Sequence, residues 1–189
     1  FFYKEINMGM AGGKSDVKPA FISDEVAADP NGFSASAQVD ENAALTLGGA
    51  LASGGAVTLG SARTVSITSG GNDSGISFNV VGTDLDGVSL TENITGGNAG
   101  AVTGSSFFKT IVSITAVGDP AGTVLAGTTG IAADIVFGGR TRLKGYSIVS
   151  GGTSGVIEFV NGEPNGGGTT LFKARTLGTD NTTIDNTIP

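Results

Sequence analysis

Carboxylates offer the most chemistry in this chain. Asp84-Leu85-Asp86-Gly87 carries two of them one residue apart, and Glu92 and Asp73 lie close enough in sequence to help. Oxygen donors at that density could gather around Ca²⁺, a hard cation that wants several carboxylates and carbonyls. A dedicated ligand loop for that ion is absent. The same four residues read more simply as a hairpin turn, because Asp and Gly tolerate positive φ at little cost. Asp84 and Glu92 could also serve as the acid and base of glycoside hydrolysis. A sugar cleft needs aromatic platforms, however, and only 6% of the residues are aromatic, with no Trp among them.

Other candidate chemistry is thinner. Met8-Gly9-Met10-Ala11-Gly12-Gly13-Lys14-Ser15 ends in Gly-Lys-Ser, as a phosphate-cradling loop does. That loop needs its first Gly where Met8 stands, and a strand before it and a helix after it. A flexible Gly turn is the simpler reading. Ser and Thr nucleophiles are plentiful, yet the chain has no His to activate one. A Ser–Lys pair would have to use Lys109 or Lys144, and nothing in the spacing positions it. Without Cys there is no disulfide framework, thiolate metal site or thiol nucleophile. Asn72-Asp73-Ser74 and Asn93-Ile94-Thr95 match glycosylation acceptors, as chance allows in a chain so rich in Asn and Thr. No catalytic, cofactor-binding or metal-binding residue is assigned, and no cofactor is expected.

Charge narrows the partners. The formal net charge is −7, and the basic residues are scattered apart from Arg140, Arg142 and Lys144. Phosphate recognition needs clustered cations that release counterions, so nucleic acid is not an expected partner. On a strand those three basic residues would share one face, either solvated or set against an acidic patch. No apolar run approaches the ~20 residues that cross a bilayer as a helix, so no membrane partner is expected either. Charged residues make up only 14% of the chain, which leaves Ser, Thr, Asn and Gly to cover the outside. Neutral polar surfaces of that kind suit a subunit packed against neighbours.

The elements that must carry these residues read as β throughout. Arg63-Thr64-Val65-Ser66-Ile67-Thr68 and Ile76-Ser77-Phe78-Asn79-Val80-Val81 alternate with period two, which marks strands with one buried face. Ala44–Leu47 and Ala56–Leu59 read as short strands, Val88–Ile94 as a returning strand, and Phe107–Val117 as the longest. Thr123–Ala126 and Asp134–Phe137 follow. Asn72-Asp73-Ser74-Gly75 and Asp84-Leu85-Asp86-Gly87 read as hairpin loops. Turn signals recur every eight to twelve residues or so, without room for helices between strands, which predicts an antiparallel β-sandwich, jelly-roll or Ig-like. The 33 glycines fit its many tight turns.

Three regions are expected. Residues 1–33 hold most of the early charges and two prolines, and read as an extended N-terminal arm with one helical turn near Ser23–Val26. Such an arm either lies on a partner or is a loose tail. Residues 34–137 form the sandwich. Residues 138–189 contain three further strand patterns, in Leu143–Ser150, Gly155–Val160 and Thr169–Ala174. They form a second small β unit or complete the sandwich, the former being preferred. The chain starts without Met and ends in a loop-like Asp185-Asn186-Thr187-Ile188-Pro189, so it reads as processed or as a portion of a longer product.

The wording from Phe33 to Gly130 resembles a family of small tailed-bacteriophage virion proteins of marine and freshwater phages. The resemblance rests on Leu45-Thr46-Leu47-Gly48-Gly49-Ala50-Leu51, Ala62–Ser69, Gly71–Phe78, Val81-Gly82-Thr83-Asp84, Thr95–Gly100 and Phe107-Phe108-Lys109-Thr110-Ile111, with Lys144–Gly152 and Asp185–Pro189 further on. It covers roughly four-fifths of the chain; residues 1–32 fall outside it. These are turn-and-strand motifs, not catalytic signatures. The resemblance implies a non-enzymatic structural protein on the outer surface of a phage particle. The role it suggests is capsid decoration or cementing, with the major capsid protein or a tail component as partner and copies of itself, in a trimer, as neighbours. Removing residues 1–32 would then weaken attachment and leave the body folded. The alternatives are a tail, neck or fibre component, or a cell-surface adhesin or filament subunit that donates a strand to its neighbour.

Overall fold

The computed structural model describes residues 27–140, 142–150, 154–176 and 182–187. Most of the expected arm, with its helical turn at Ser23–Val26, lies outside these residues. Among the described residues there is no helix, and every strand pairing with a stated direction is antiparallel. The all-β sandwich expected from the alternation is present.

Its strands are β1 (Ser34–Gln38), β2 (Ala52–Ser53), β3 (Ala56–Ser69), β4 (Ser77–Thr83), β5 (Ser89–Thr95), β6 (Ala101–Thr103), β7 (Phe108–Val117) and β8 (Thr123–Ala133). They form one eight-stranded sheet in the order β1-β8-β3-β7-β4-β5, with β2 and β6 also paired to β3. The organising element is β3. Its first half pairs with β2 and β7 through Val57↔Ile111 and Thr58↔Thr110. Its second half pairs with β8 and β6 through Ile67↔Ala126 and Ile67↔Val102. The register shifts between Thr58 and Arg63 and again between Arg63 and Val65. Bulges bend a strand and increase its twist, and here they lie where β3 passes from its pairing with β7 to its longer pairing with β8.

The interior is one cluster. Phe33, Val65, Ile67, Phe78, Val80, Phe108, Ile111, Ile114 and Val124 are all fully buried in it. On β4 the period-two pattern places Phe78 and Val80 on the inner face, as read from sequence, whereas on β7 a register shift opposite Val81–Gly82 spaces the buried Phe108, Ile111 and Ile114 three residues apart. On β3 the pattern is overridden: Arg63, Thr64 and Ser66 are buried together with Val65 and Ile67. The Arg63 guanidinium meets the Thr129 carbonyl oxygen at 3.2 Å, which gives a buried charge a partner.

Several elements differ from the alternation alone. Ala56–Leu59 and Arg63–Thr68 are one strand, because Gly60 and Ser61 sit at the bulge and do not break it. Ala44–Leu47 is a strap rather than a strand: Ala44 makes an isolated bridge to Thr115, while Leu45 and Leu47 still bury their side chains. Asn72–Gly75 is no hairpin loop, since it joins β3 to β4 and β7 lies between them. β8 runs on to Ala133, and Asp134–Phe137 is not a strand. The sandwich also takes up the chain ahead of Ser34. The Asp29 N–H donates to Thr128 Oγ1 at 3.0 Å, the Thr128 N–H donates to the Asp29 carbonyl at 2.8 Å, and Phe33 is fully buried.

Beyond β8 lie β9 (Gly145–Ser150), β10 (Val156–Asn161), β11 (Thr169–Arg175) and β12 (Thr182–Thr187). β12 pairs with β9, and β10 pairs with β11. The chain divides into two compact units. One comprises Ser23–Ile135 with Val156–Ala174, so the β10–β11 hairpin goes with the sandwich. The other comprises Phe1–Ile22, Val136–Gly155 and Arg175–Pro189, and its described part contains the β9–β12 pair.

Candidate functional site

Asp84 sits where β4 turns into β5. Its Oδ1 accepts the N–H of Asp86 at 3.0 Å and of Val88 at 2.8 Å, and its own N–H donates to the Val88 carbonyl at 2.9 Å. Gly87 closes the turn with φ of 79°, a left-handed value that a Cβ would strain. The side chain thus does the work of a backbone turn, as short acidic residues do. Asp84-Leu85-Asp86-Gly87 is a hairpin turn in the structure.

Its expected helpers are held elsewhere. Glu92 reaches from β5 to the loop before β7, where Oε1 accepts the Ser105 N–H at 2.7 Å and the Ser105 hydroxyl at 3.0 Å. Asp73 is 1% exposed, and its Oδ1 accepts the Ala121 N–H at 2.7 Å. The Asp73 N–H donates to the Gly97 carbonyl at 2.8 Å. One buried residue therefore ties the β3–β4 connection to the β7–β8 connection through its side chain and to the β5–β6 connection through its backbone.

The carboxylate that does approach Asp86 comes from another part of the chain. Glu163, in the turn between β10 and β11, comes close to the Asp86 carboxyl, and its Oε2 is buried without a hydrogen-bond partner. Interaction with the Asp86 carboxyl, the loss of water around Glu163, and the negative charges of Asp86 and Asp84 raise the Glu163 pKa above its ordinary 4.5. Two residues on, Asn165 clasps the backbone of Phe107. Its Oδ1 accepts the Phe107 N–H at 2.7 Å, and its Nδ2 donates to the Phe107 carbonyl at 3.0 Å. A side-chain amide so placed satisfies one residue's donor and acceptor together, as a neighbouring strand would. Glu163 and Asn165 were not singled out from the sequence. Glu163-Pro164-Asn165-Gly166 is legible as a turn, but nothing local says which loops it meets.

The remaining candidates are structural where described. Lys109 donates its ammonium to the Gly60 carbonyl across β3. Asn72 Oδ1 accepts the Ser74 N–H at 3.3 Å and the Ser74 hydroxyl at 2.8 Å, a local turn. Asn93 faces Asn79 across β5 and β4, and its Oδ1 accepts the Asn79 amide at 2.8 Å. Arg140, Arg142 and Lys144 are exposed but lie ahead of β9, not on a strand, so the face expected of alternate strand positions is not formed. The phosphate-loop-like Met8–Ser15 lies outside the described residues. No group of three or more acidic residues suited to hold a metal ion occurs among the described residues. What the arrangement offers is adhesion: carboxyl–carboxyl and amide–backbone contacts that seat a hairpin on a sandwich.

Compared with protein-family models, curated proteins and solved structures, the chain matches none.

Proposed function

We propose that this chain is a structural subunit of a tailed-phage particle, seated on the outer surface and decorating or cementing the capsid through protein–protein contacts. The sequence resemblance suggests the particle. The observation that carries the reading of an assembly subunit is the β10–β11 hairpin. Val156 and Leu171 are 52% and 62% exposed, and Ile157 and Val160 are exposed as well. Phe159 and Phe172 stack at 4.3 Å between centroids, and Lys173 pairs with Glu158 at 2.5 Å. A two-stranded hairpin has little core of its own. Large aliphatic residues on both its strands are suited to burial against another protein, at roughly 25 cal/mol for each Å² of apolar surface covered. Val112 and Val117 on β7 add to the apolar surface of the same unit.

Gold-labelled antibody raised against residues 34–137, imaged on purified particles, tests the proposal. Label spread over heads is the expected result. Label confined to a vertex, neck or fibre would move the protein to the tail apparatus, and label only on filaments or cell surface would overturn the phage reading. Strand donation is the second reading. It is favoured by β5, which stands at the end of the sheet order with a partner on one side. Detergent-resistant ladders on a gel are the outcome that reading requires.

A further inference from the structure

Charge is segregated along this chain. Residues 27–135 and 156–174, in the unit that holds the sandwich and hairpin, carry eleven carboxylates and three cations. All three cations are engaged internally: Arg63 with the Thr129 carbonyl, Lys109 with the Gly60 carbonyl, and Lys173 with Glu158. Residues 136–155 and 175–189 carry four cations and two carboxylates. Within them, Val136-Phe137 leads into the cationic stretch, the two being 40% and 50% exposed, with Arg140 and Lys144 exposed beyond them. An apolar step followed by cations offers a surface both apolar and charged contacts.

Its complement lies at one end of the sandwich. Two turns meet there: the Asn42 N–H donates to the Gly118 carbonyl at 3.0 Å, and the Gly118 N–H donates to Asn42 Oδ1 at 2.9 Å. The contact brings Asp40, Glu41 and Asp119 to the same end, all exposed, beside Val117, which is 50% exposed. The cationic stretch and the acidic end are two different patches of opposite charge, the arrangement by which one copy of a chain takes hold of another.

We infer that the occupant of the Asp40–Glu41–Asp119 end is a second copy of this chain, docked head-to-tail through Phe137, Arg140 and Lys144. The inference rests on the reading of the chain as an assembly subunit and names its partner. A contact between two different patches closes into a ring or grows into a filament, and a trimer is the ring that closes at three. Phe137 and Val117 supply apolar area, while the charges set orientation and encounter rate. Exposed charges are screened beyond about 8 Å at physiological salt, so the contact weakens as salt rises.

The test uses the full chain in light scattering and sedimentation, at low and high NaCl. Mass is expected to rise with protein concentration at low salt and to fall toward the monomer at high salt. Arg140→Glu/Lys144→Glu places acid against acid, and Asp40→Lys/Glu41→Lys places base against base. Each variant alone is expected to associate at least about tenfold more weakly. An equal mixture of the two regains association, in even rings or chains where the variants alternate, because the acidic segment of one meets the basic end of the other. A contact within one molecule cannot be restored by mixing. Wild-type protein that stays monomeric at every concentration and salt overturns the inference. So does a mixture that stays monomeric while circular dichroism shows both variants folded. Gold label on particles from a chain that is monomeric in solution would remove this inference and leave the proposed function standing; no association and no label would remove both.

Discussion

Gly82 shows how closely β4 lies against β7. A Cβ at that position would overlap the Thr110 carbonyl oxygen, a backbone atom that cannot rotate away. Overpacking of this kind typically costs about 1–3 kcal/mol. Gly82→Ala is expected to lower the urea midpoint accordingly, whereas Gly60→Ala, where a Cβ would meet nothing within 4 Å, leaves it within about 0.5 kcal/mol. Equal midpoints for the two variants would show that the β4–β7 contact is looser than described. At the same scale, two glutamates of the hairpin titrate in opposite senses. Lys173, through a hydrogen bond and its charge, and Thr170, through a hydrogen bond, lower the Glu158 pKa below 4.5, while interaction with the Asp86 carboxyl, loss of water and the Asp86 and Asp84 charges raise that of Glu163. A raised carboxyl keeps its proton in the folded state at a pH where the unfolded chain has released it, so its contribution falls as pH rises above about 4.5. A lowered carboxyl contributes above that value and is lost as pH falls through its folded pKa. Seating of the hairpin through Glu163 is therefore expected to hold below about pH 4.5 and to loosen as pH rises through the raised pKa, whereas the Glu158–Lys173 pair steadies the hairpin itself and is lost as pH falls. Hydrogen exchange at the hairpin across pH, corrected for intrinsic rates, reads this directly. Glu163→Gln is expected to flatten the loosening on the alkaline side, and an unchanged profile would remove Glu163 as its cause.

Among the elements, the β10–β11 hairpin depends most on contacts outside itself. Asn165 makes two hydrogen bonds to the sandwich backbone, at 2.7 Å and 3.0 Å on Phe107. Asn165→Ala leaves the half-buried Phe107 amide without that acceptor, at a cost of about 1–3 kcal/mol. Faster exchange of the Phe107 amide, with β3 and β7 amides unchanged, is the expected outcome; faster exchange throughout would mean that the hairpin is part of the cooperative core. β3 is the contrary case. It pairs with β2, β6, β7 and β8, and it carries the fully buried Val57, Val65 and Ile67. Its amides are expected to exchange only by global unfolding.

For the whole molecule, the boundary of the sandwich decides which truncations it tolerates. The reading of residues 1–32 as a dispensable arm does not suit the contacts of Asp29, which exchanges two hydrogen bonds with Thr128. Gly32 adds an accepted bond from the Leu51 N–H at 2.7 Å. Removing residues 1–32 is therefore expected to destabilise the body as well as any attachment. Phe33→Ala, which empties a fully buried site, should cost about 3–5 kcal/mol. Urea denaturation of the truncated chain and of Phe33→Ala checks both, and a truncated chain with the wild-type midpoint would restore the view of residues 29–32 as part of the arm.

Period-two alternation, turn residues and the absence of long apolar helical patterns determined by themselves that this chain is an antiparallel β protein. They also placed the inner face of β4 and the turn at Asp84–Gly87, because those features depend on neighbours within a few residues. Tertiary structure alone decided the rest. It fused two strand patterns into β3, because Gly60–Ser61 sit at a bulge that lets the strand run on from its pairing with β7 to its pairing with β8. It set β7 between β3 and β4, which turned the loop at Asn72–Gly75 into a crossover. It took Glu92 and Asp73 away from Asp84 and brought Glu163 instead, and it gathered Asp40, Glu41 and Asp119 at one end. Pairing between distant segments follows from the closing of a shared core, and no local pattern encodes which carboxylates that closure brings together.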